Sequence, residues 1–208
     1  MYLTVAELRA EGVTEAQADD ERAEALIEAA SAELDQLTGW FFEPRALTLT
    51  LSGRGTRSLE LPAPPIQLER VVVDDAELHH TDLFIVGAPV LPGFDGARLS
   101  RRSGRFTRGI GNVVVEGRFG YTEPDGSAEG QTPLMIRRAC ALLVLRYLYP
   151  LADDRGFDVR NRWRVLEERT RDQSYKLDRV GESVGPTGDP ELDSIIARYR
   201  RPPPMGAC

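Results

Sequence analysis

The sequence predicts an α+β fold, a helical bundle of about four to five helices with an inserted small antiparallel β domain. Three observations carry this. Ala23, Leu26, Ile27, Ala30, Leu34 and Leu37 recur at helical spacing. Residues 45–51 then alternate with period two. Helical patterning returns behind Thr132-Pro133 and again behind Asp189-Pro190. Strands enclosed by helices place a helical domain over residues 1–42 and 131–201, a β domain over 43–122, and an extended tail over 202–208.

Each element has its own local reason. Thr4 and Glu7 form a capping box that starts a short helix ending near Gly12. Asp19, Asp20 and Glu21 put negative charge at the positive end of the long helix, and Gly39 offers a left-handed cap at its close. Trp40, Phe41 and Phe42 make an aromatic exit. Arg45 to Leu51 reads as a strand with one threonine-rich face. Residues 52–55 read as a turn, and Ser58 to Leu61 as the returning strand of a hairpin. Pro62, Pro64 and Pro65 interrupt, Ile66 to Val73 resumes an extended run, and weaker strands are expected at Leu83 to Val86 and near Leu91. Asn112 to Phe119 is the last strong strand. Thr132 caps and Pro133 opens an apolar helix, Leu134 to Tyr149, expected to pack on residues 20–38. Arg162 to Tyr175 has a polar helical pattern anchored by Trp163 and Leu166, residues 181–188 read as flexible, and Leu192, Ile195, Ile196 and Tyr199 form a final stripe.

A chain of 208 residues with ordinary apolar content can bury a core without disulfides or cofactors. Cys140 sits in an apolar helical run and Cys208 is the last residue, so neither zinc spacing nor a structural disulfide is expected. There is no bilayer-length apolar run and no secretory pattern at the start, which predicts a soluble protein made in a cytoplasm, with no membrane partner. The net charge of −7 hides a strong polarity. Residues 1–39 hold ten acids against Arg9 and Arg22, whereas residues 98–118 hold six arginines against Glu116 alone. That polarity suits self-association or docking on a charged partner.

Enzyme chemistry finds little support. No nucleophile elbow, Walker lysine, zinc-protease or dinucleotide fingerprint is present. His79 and His80 are adjacent on a polar loop and point opposite ways if extended, a poor metal pair. Asp74, Asp75, Asp82 and Asp95 would have to gather for a magnesium-dependent hydrolase. They fall at turns, where aspartate is common for local hydrogen bonding. Asp153, Asp154 and Asp158 read the same way. No enzyme activity, catalytic residue, metal or cofactor is expected.

The best candidate binding surface is the run 98–108, in which Arg98, Arg101, Arg102, Arg105 and Arg108 alternate with glycines and Phe106. Such a loop would suit a nucleic-acid-binding module gripping phosphates, with affinity falling steeply in salt. It would equally suit a solvated hairpin or a charged subunit contact, and no helix-turn-helix accompanies it. Arg198, Arg200 and Arg201 with the following prolines read as an arm that orders on a partner.

Several short motifs together resemble the head–tail adaptor (connector) proteins of long-tailed double-stranded DNA phages and of phage-derived gene transfer agents. Leu3-Thr4-Val5-Ala6-Glu7-Leu8 resembles their opening helix. Leu26-Ile27, Ala30-Ser31, Leu34 and Thr38-Gly39 resemble their next helix. Leu61-Pro62 and Pro65-Ile66, then the glycine- and valine-rich run from Gly109 to Tyr121, then Thr132-Pro133, are similar to the β insertion of the larger members. One departure is Arg105-Phe106-Thr107-Arg108 in place of the Trp-Pro often found before the glycines.

The resemblance implies a mechanical function in the virion, at the head–tail interface, after assembly in a bacterial host cytoplasm. Such subunits form a ring, usually of twelve, beneath the portal protein. The ring extends the DNA channel and joins the head to a neck or tail-completion protein. DNA passes through without specific binding, and acidic helices suit such a channel. On this reading Leu192, Ile195, Ile196, Tyr199, Arg200 and Arg201 engage the portal within residues 190–208. Arg98, Arg101, Arg102, Arg105 and Arg108 make a ring or neck contact.

Overall fold

The computed structural model describes residues 1–87, 97–148, 167–169, 174–176 and 185–201. The described residues are α+β, with four α-helices and antiparallel sheets. The chain divides into two compact units, the first from the described parts of Met1–Leu37 and Met135–Arg198, the second from those of Thr38–Leu134 and the segment that starts at Tyr199.

In the first unit, α1 (Val5–Ala10) starts at Thr4, whose side chain accepts from the Glu7 amide while the Glu7 carboxylate accepts from the Thr4 amide. These bonds, the Thr4 amide first, hold the Glu7 carboxyl below the usual carboxylate range. The long helix α2 (Asp20–Thr38) buries Ala23, Ile27, Ala30 and Leu34 of the predicted stripe, and its Leu26 and Leu37 are half-buried. The apolar helix α3 (Leu134–Tyr147) buries Ile136, Ala139, Cys140, Leu143 and Val144. It lies beside α2: the Cys140 thiol is 3.8 Å from the Ser31 hydroxyl, and the Tyr147 hydroxyl donates to the Glu33 carboxylate. Burial pushes the Cys140 thiol up to about 11, leaving it protonated and inert. In α4 (Pro190–Tyr199), Asp189 accepts from the amides of Glu191 (2.9 Å) and Leu192 (3.3 Å), a true N-cap with proline behind it.

The second unit is a two-sheet sandwich. One sheet has the order β1 (Arg45–Leu51), β7 (Val113–Phe119), β3 (Pro65–Val73), β4 (Ala76–Glu77). The other has the order β2 (Ser58–Glu60), β6 (Arg98–Arg101), β5 (Leu83–Val86). One apolar cluster draws on both: Val71, Val113, Val115 and Phe119 from the first sheet, and Leu59 and Leu99 from the second. Period-two patterning explains the burial, since Val113, Val115, Gly117 and Phe119 face inward while Val114, Glu116 and Arg118 are half-buried.

Four expectations change. β1 and β2 do not form a hairpin: β1 pairs with β7 and β2 pairs with β6, so the chain changes sheets at residues 52–57. Arg98 to Arg101 is the central strand of the smaller sheet rather than part of a loop. Part of the expected polar helix at 162–175 is instead a strand pair, β8 (Glu167–Arg169) with β9 (Ser174–Lys176). Residues 185–188, expected to be flexible, form a built turn in which Thr187 donates through its amide (2.9 Å) and hydroxyl (2.7 Å) to Asp193. The strand near Leu91, the anchors Trp163 and Leu166, the aspartates Asp95, Asp153, Asp154 and Asp158, and the tail 202–208 lie outside the described residues. No described helix is long and apolar enough to cross a membrane.

Ile27 is fully buried on α2, so Ile27→Ala should cost about 2–5 kcal/mol. Urea unfolding checks this: the midpoint should fall with little change in slope.

Candidate functional site

The arginine-rich segment is pinned at both ends by an aspartate. At its start, the Asp82 carboxylate accepts from the Arg101 guanidinium (2.9 Å), the Ser103 amide (2.8 Å) and the Ser103 hydroxyl (2.6 Å). The Asp82 carbonyl also takes the Arg102 amide at 2.7 Å. The Ser103 hydroxyl and amide, then Arg101, hold the Asp82 carboxyl down at about 2. At its far end, Asp74 accepts from the Asn112 side-chain amide at 3.0 Å, and its carboxyl is held low by hydrogen bonds from Thr107 and Asn112. Asp74 and Asp75 sit at φ 48° and 63°, in the tight turn between β3 and β4. Asp74 and Asp82 therefore act as turn and loop anchors, as their positions suggested. Among the described residues no three metal-binding side chains gather.

Between those anchors the loop lies against the crossover 52–57. The Phe106 amide donates to Thr56 (2.8 Å), the Gly109 amide to Gly53 (3.0 Å), and the Gly111 amide to the Ser52 hydroxyl (3.1 Å). Gly53 is required there, because a β-carbon would overlap the Thr107 carbonyl oxygen. Phe106 is fully buried in the sandwich core. It is a core anchor, so it is not part of the loop's outer surface.

The predicted arginines separate by role. Arg101 is only 20% exposed against an Asp82 that is 18% exposed, so its charge is matched inside the fold. Arg98 lies on β6 and lines a shallow groove of ≈ 510 Å³ with Arg54 and Arg201, along the edge of β2. Arg102, Arg105 and Arg108 are exposed. Arg102 lies over the Phe84 ring at 5.4 Å, and Arg105 donates to the Gly55 carbonyl at 3.2 Å. Sequence reasoning missed Arg54 and Arg57, which are exposed on the crossover, and Ile110, which is 98% exposed. The available signal was an isoleucine between two glycines, outside any periodic stripe.

Leu192, Ile195, Ile196 and Tyr199 are all buried in the chain's own packing. An amphipathic stripe states that a face is covered, and here the chain covers it itself. Tyr199 packs edge-on against Phe42 (5.8 Å) and Tyr121 (5.6 Å). Arg201 is held three ways: its amide donates to Thr38 (2.7 Å), its guanidinium donates to Pro62 (3.1 Å), and it lies over Trp40 at 4.8 Å. Arg200 is exposed.

With this geometry in place, comparison with solved structures is informative. The chain is similar to a chain in the neck of an empty gene transfer agent (GTA) particle computed with C6 symmetry. That match has a TM-score of 0.60 at 20% identity and covers 99% of this chain and 92% of that one. A chain in the neck of a native GTA particle computed with C12 symmetry is similar at TM-score 0.59 and 17% identity, with the same coverage of both chains, 99% and 92%. The fold is that of a particle-neck protein. A chain in the virion of a native GTA particle gives TM-score 0.56 at 18% identity over 99% of this chain and 92% of that one. No protein-family model matches the sequence, and no curated protein does. The neck-protein fold thus includes the sandwich that carries the pinned arginine loop.

Asp82 predicts a pH response. Its folded value, about 2, lies below the ordinary aspartate value of 3.8. The anchor is therefore fully present above about pH 4 and is lost as pH falls through about 2. The Ser103 amide resonance should titrate with a midpoint near the lower value. Asp82→Asn should abolish that step, and a midpoint near 4 would mean the carboxylate is not anchored.

Proposed function

We propose that this chain is a structural, non-enzymatic subunit of a virion neck, a head–tail connector that forms a ring under a portal, extends the DNA channel and joins the head to the neck or tail. The carrying observation is the neck-protein fold over nearly the whole chain. The related particle necks were computed with C6 and C12 symmetry, which supports a closed ring of copies. The polarity between an acidic N-terminal region and arginine-rich segments supports head-to-tail association. A net negative chain also suits a channel through which DNA slides without adhering.

The C-terminal segment is proposed as the portal contact. Its stripe, Leu192, Ile195, Ile196 and Tyr199, sets the position of the segment by packing in the subunit, and Arg201 fixes its exit. Direct contact then falls to exposed Arg200 and residues 202–208. The arginines of 98–108 that remain exposed are proposed for a ring or neck contact. The reading as a nucleic-acid-binding module is the weaker one, because Phe106 is buried and Arg101 is matched by Asp82.

Mass measurement of the purified chain, alone and with the portal from the same genome, followed by negative-stain imaging, should reveal a ring, either free or on the portal. A monomer that ignores the portal would reject the proposal. Removing residues 202–208 together with Arg200→Glu should weaken portal binding at least about ten-fold without lowering the melting temperature. Unchanged binding would move the portal contact elsewhere on the chain.

A further inference from the structure

Two exposed surfaces of opposite charge lie on this chain. The first surrounds the pinned loop: Arg54, Arg57, Arg102, Arg105 and Arg108 are exposed there. Arg57 and Arg105 donate to carbonyl oxygens, of Arg102 and Gly55, and Arg102 lies over Phe84. The nearby carboxylate of Asp82 is taken by Arg101 and Ser103. Among the described residues no carboxylate forms an ion pair with any of these five arginines. Beside them stands Ile110, 98% exposed, between glycines whose amides are bonded to Gly53 (3.0 Å) and to the Ser52 hydroxyl (3.1 Å). A large apolar side chain is thereby held out into solvent on a fixed turn.

The second surface is the outward face of α2. Glu21, Glu24 and Glu28 are exposed on it, and Ala25, Ala29 and Ala32 lie exposed along the same face. The alanines leave a shallow apolar floor bordered by carboxylates. An exposed isoleucine on an arginine-rich loop is complementary to that floor in apolar character and in charge. A phosphate backbone would satisfy the arginines and give Ile110 nothing to pack on.

We propose that the Ile110-tipped arginine loop of one copy docks on the Glu21–Ala32 face of α2 in a second copy. This rests on the reading of the chain as a ring subunit and names its subunit contact. The contact is heterologous, since each copy uses its loop on one neighbour and its α2 face on the other, so it propagates until it closes.

Two full-length variants test it. One carries Arg102→Glu, Arg105→Glu and Arg108→Glu, and the other Glu21→Arg, Glu24→Arg and Glu28→Arg. Each alone should fail to self-associate in sedimentation velocity at low ionic strength. Mixed one to one, they should associate in alternation, because every loop then meets a face of opposite charge. Rescue on mixing also shows that both variants are folded. A third variant, Ile110→Asp, alters a side chain outside the core and should weaken association at least about ten-fold with an unchanged melting temperature. Self-association of all three at the wild-type level would overturn the contact and leave the ring reading intact. Mixed association into open chains only would keep the contact and reject the ring. Loss of duplex-DNA binding in the arginine variant, with self-association intact, would overturn the contact in favour of nucleic acid. A wild type and a mixture that both stay monomeric, alone and with the portal from the same genome, would overturn contact and ring together.

Discussion

The far end of the arginine loop is tied to the rest of the β unit by the side-chain amide of Asn112. Its oxygen accepts from the Gly53 amide (2.9 Å), and its nitrogen donates to the Asp74 carboxylate (3.0 Å) and the Thr107 carbonyl (3.2 Å). The orientation follows from chemistry, since a backbone N–H only donates and a carbonyl only accepts. One residue at the foot of β7 thus joins the crossover 52–57, the β3–β4 turn and the end of the loop. Without it, three irregular segments would each carry unsatisfied polar groups. With it, the loop between Arg101 and Val113 is held without any regular ladder of its own.

That constraint explains how so many arginines can occupy one short stretch. Like charges so close would repel, and a flexible loop would let them disperse into solvent. Here Phe106 is driven into the sandwich core and Asp82 neutralises Arg101 from beneath. The Arg105 guanidinium donates to the Gly55 carbonyl, and Arg102 lies over the Phe84 ring. The fold therefore accommodates the segment in two layers, with one arginine and one phenylalanine as internal fasteners and the others as an outer surface. Fold and surface are separable in this arrangement, so surface charges can change without disturbing the core.

Much of this was legible in the sequence. The capping box at Thr4 and Glu7, the α2 stripe, the strands at residues 45–51 and 113–119, and the N-cap at Asp189 all arise from local rules, and all appear. What local rules could not supply was pairing. Residues 52–55 look like a hairpin turn, yet β1 finds β7 some sixty residues on. Strand partners are chosen by long-range packing, and here Gly53 is bonded to Asn112 rather than closing a hairpin. Arg98 to Arg101 reads as loop because arginine is a poor marker of strands. Its register on β2 and β5 is set by the alternate residue Leu99, which is fully buried.

The candidate surfaces show why periodicity is a poor guide to partners. The stripe of Leu192, Ile195, Ile196 and Tyr199 satisfies the rule for a covered face, and the chain itself covers it. Any amphipathic pattern carries that ambiguity, because burial against self and burial against another molecule leave the same spacing. Ile110 has the opposite signature. It belongs to no helical or alternating pattern, stands between two glycines, and is followed by a strand whose own apolar register begins only at Val113. No element of the fold asks for an apolar side chain there, and the structure leaves it 98% exposed. An apolar residue that local structure does not explain is the better pointer to a surface meant for a partner.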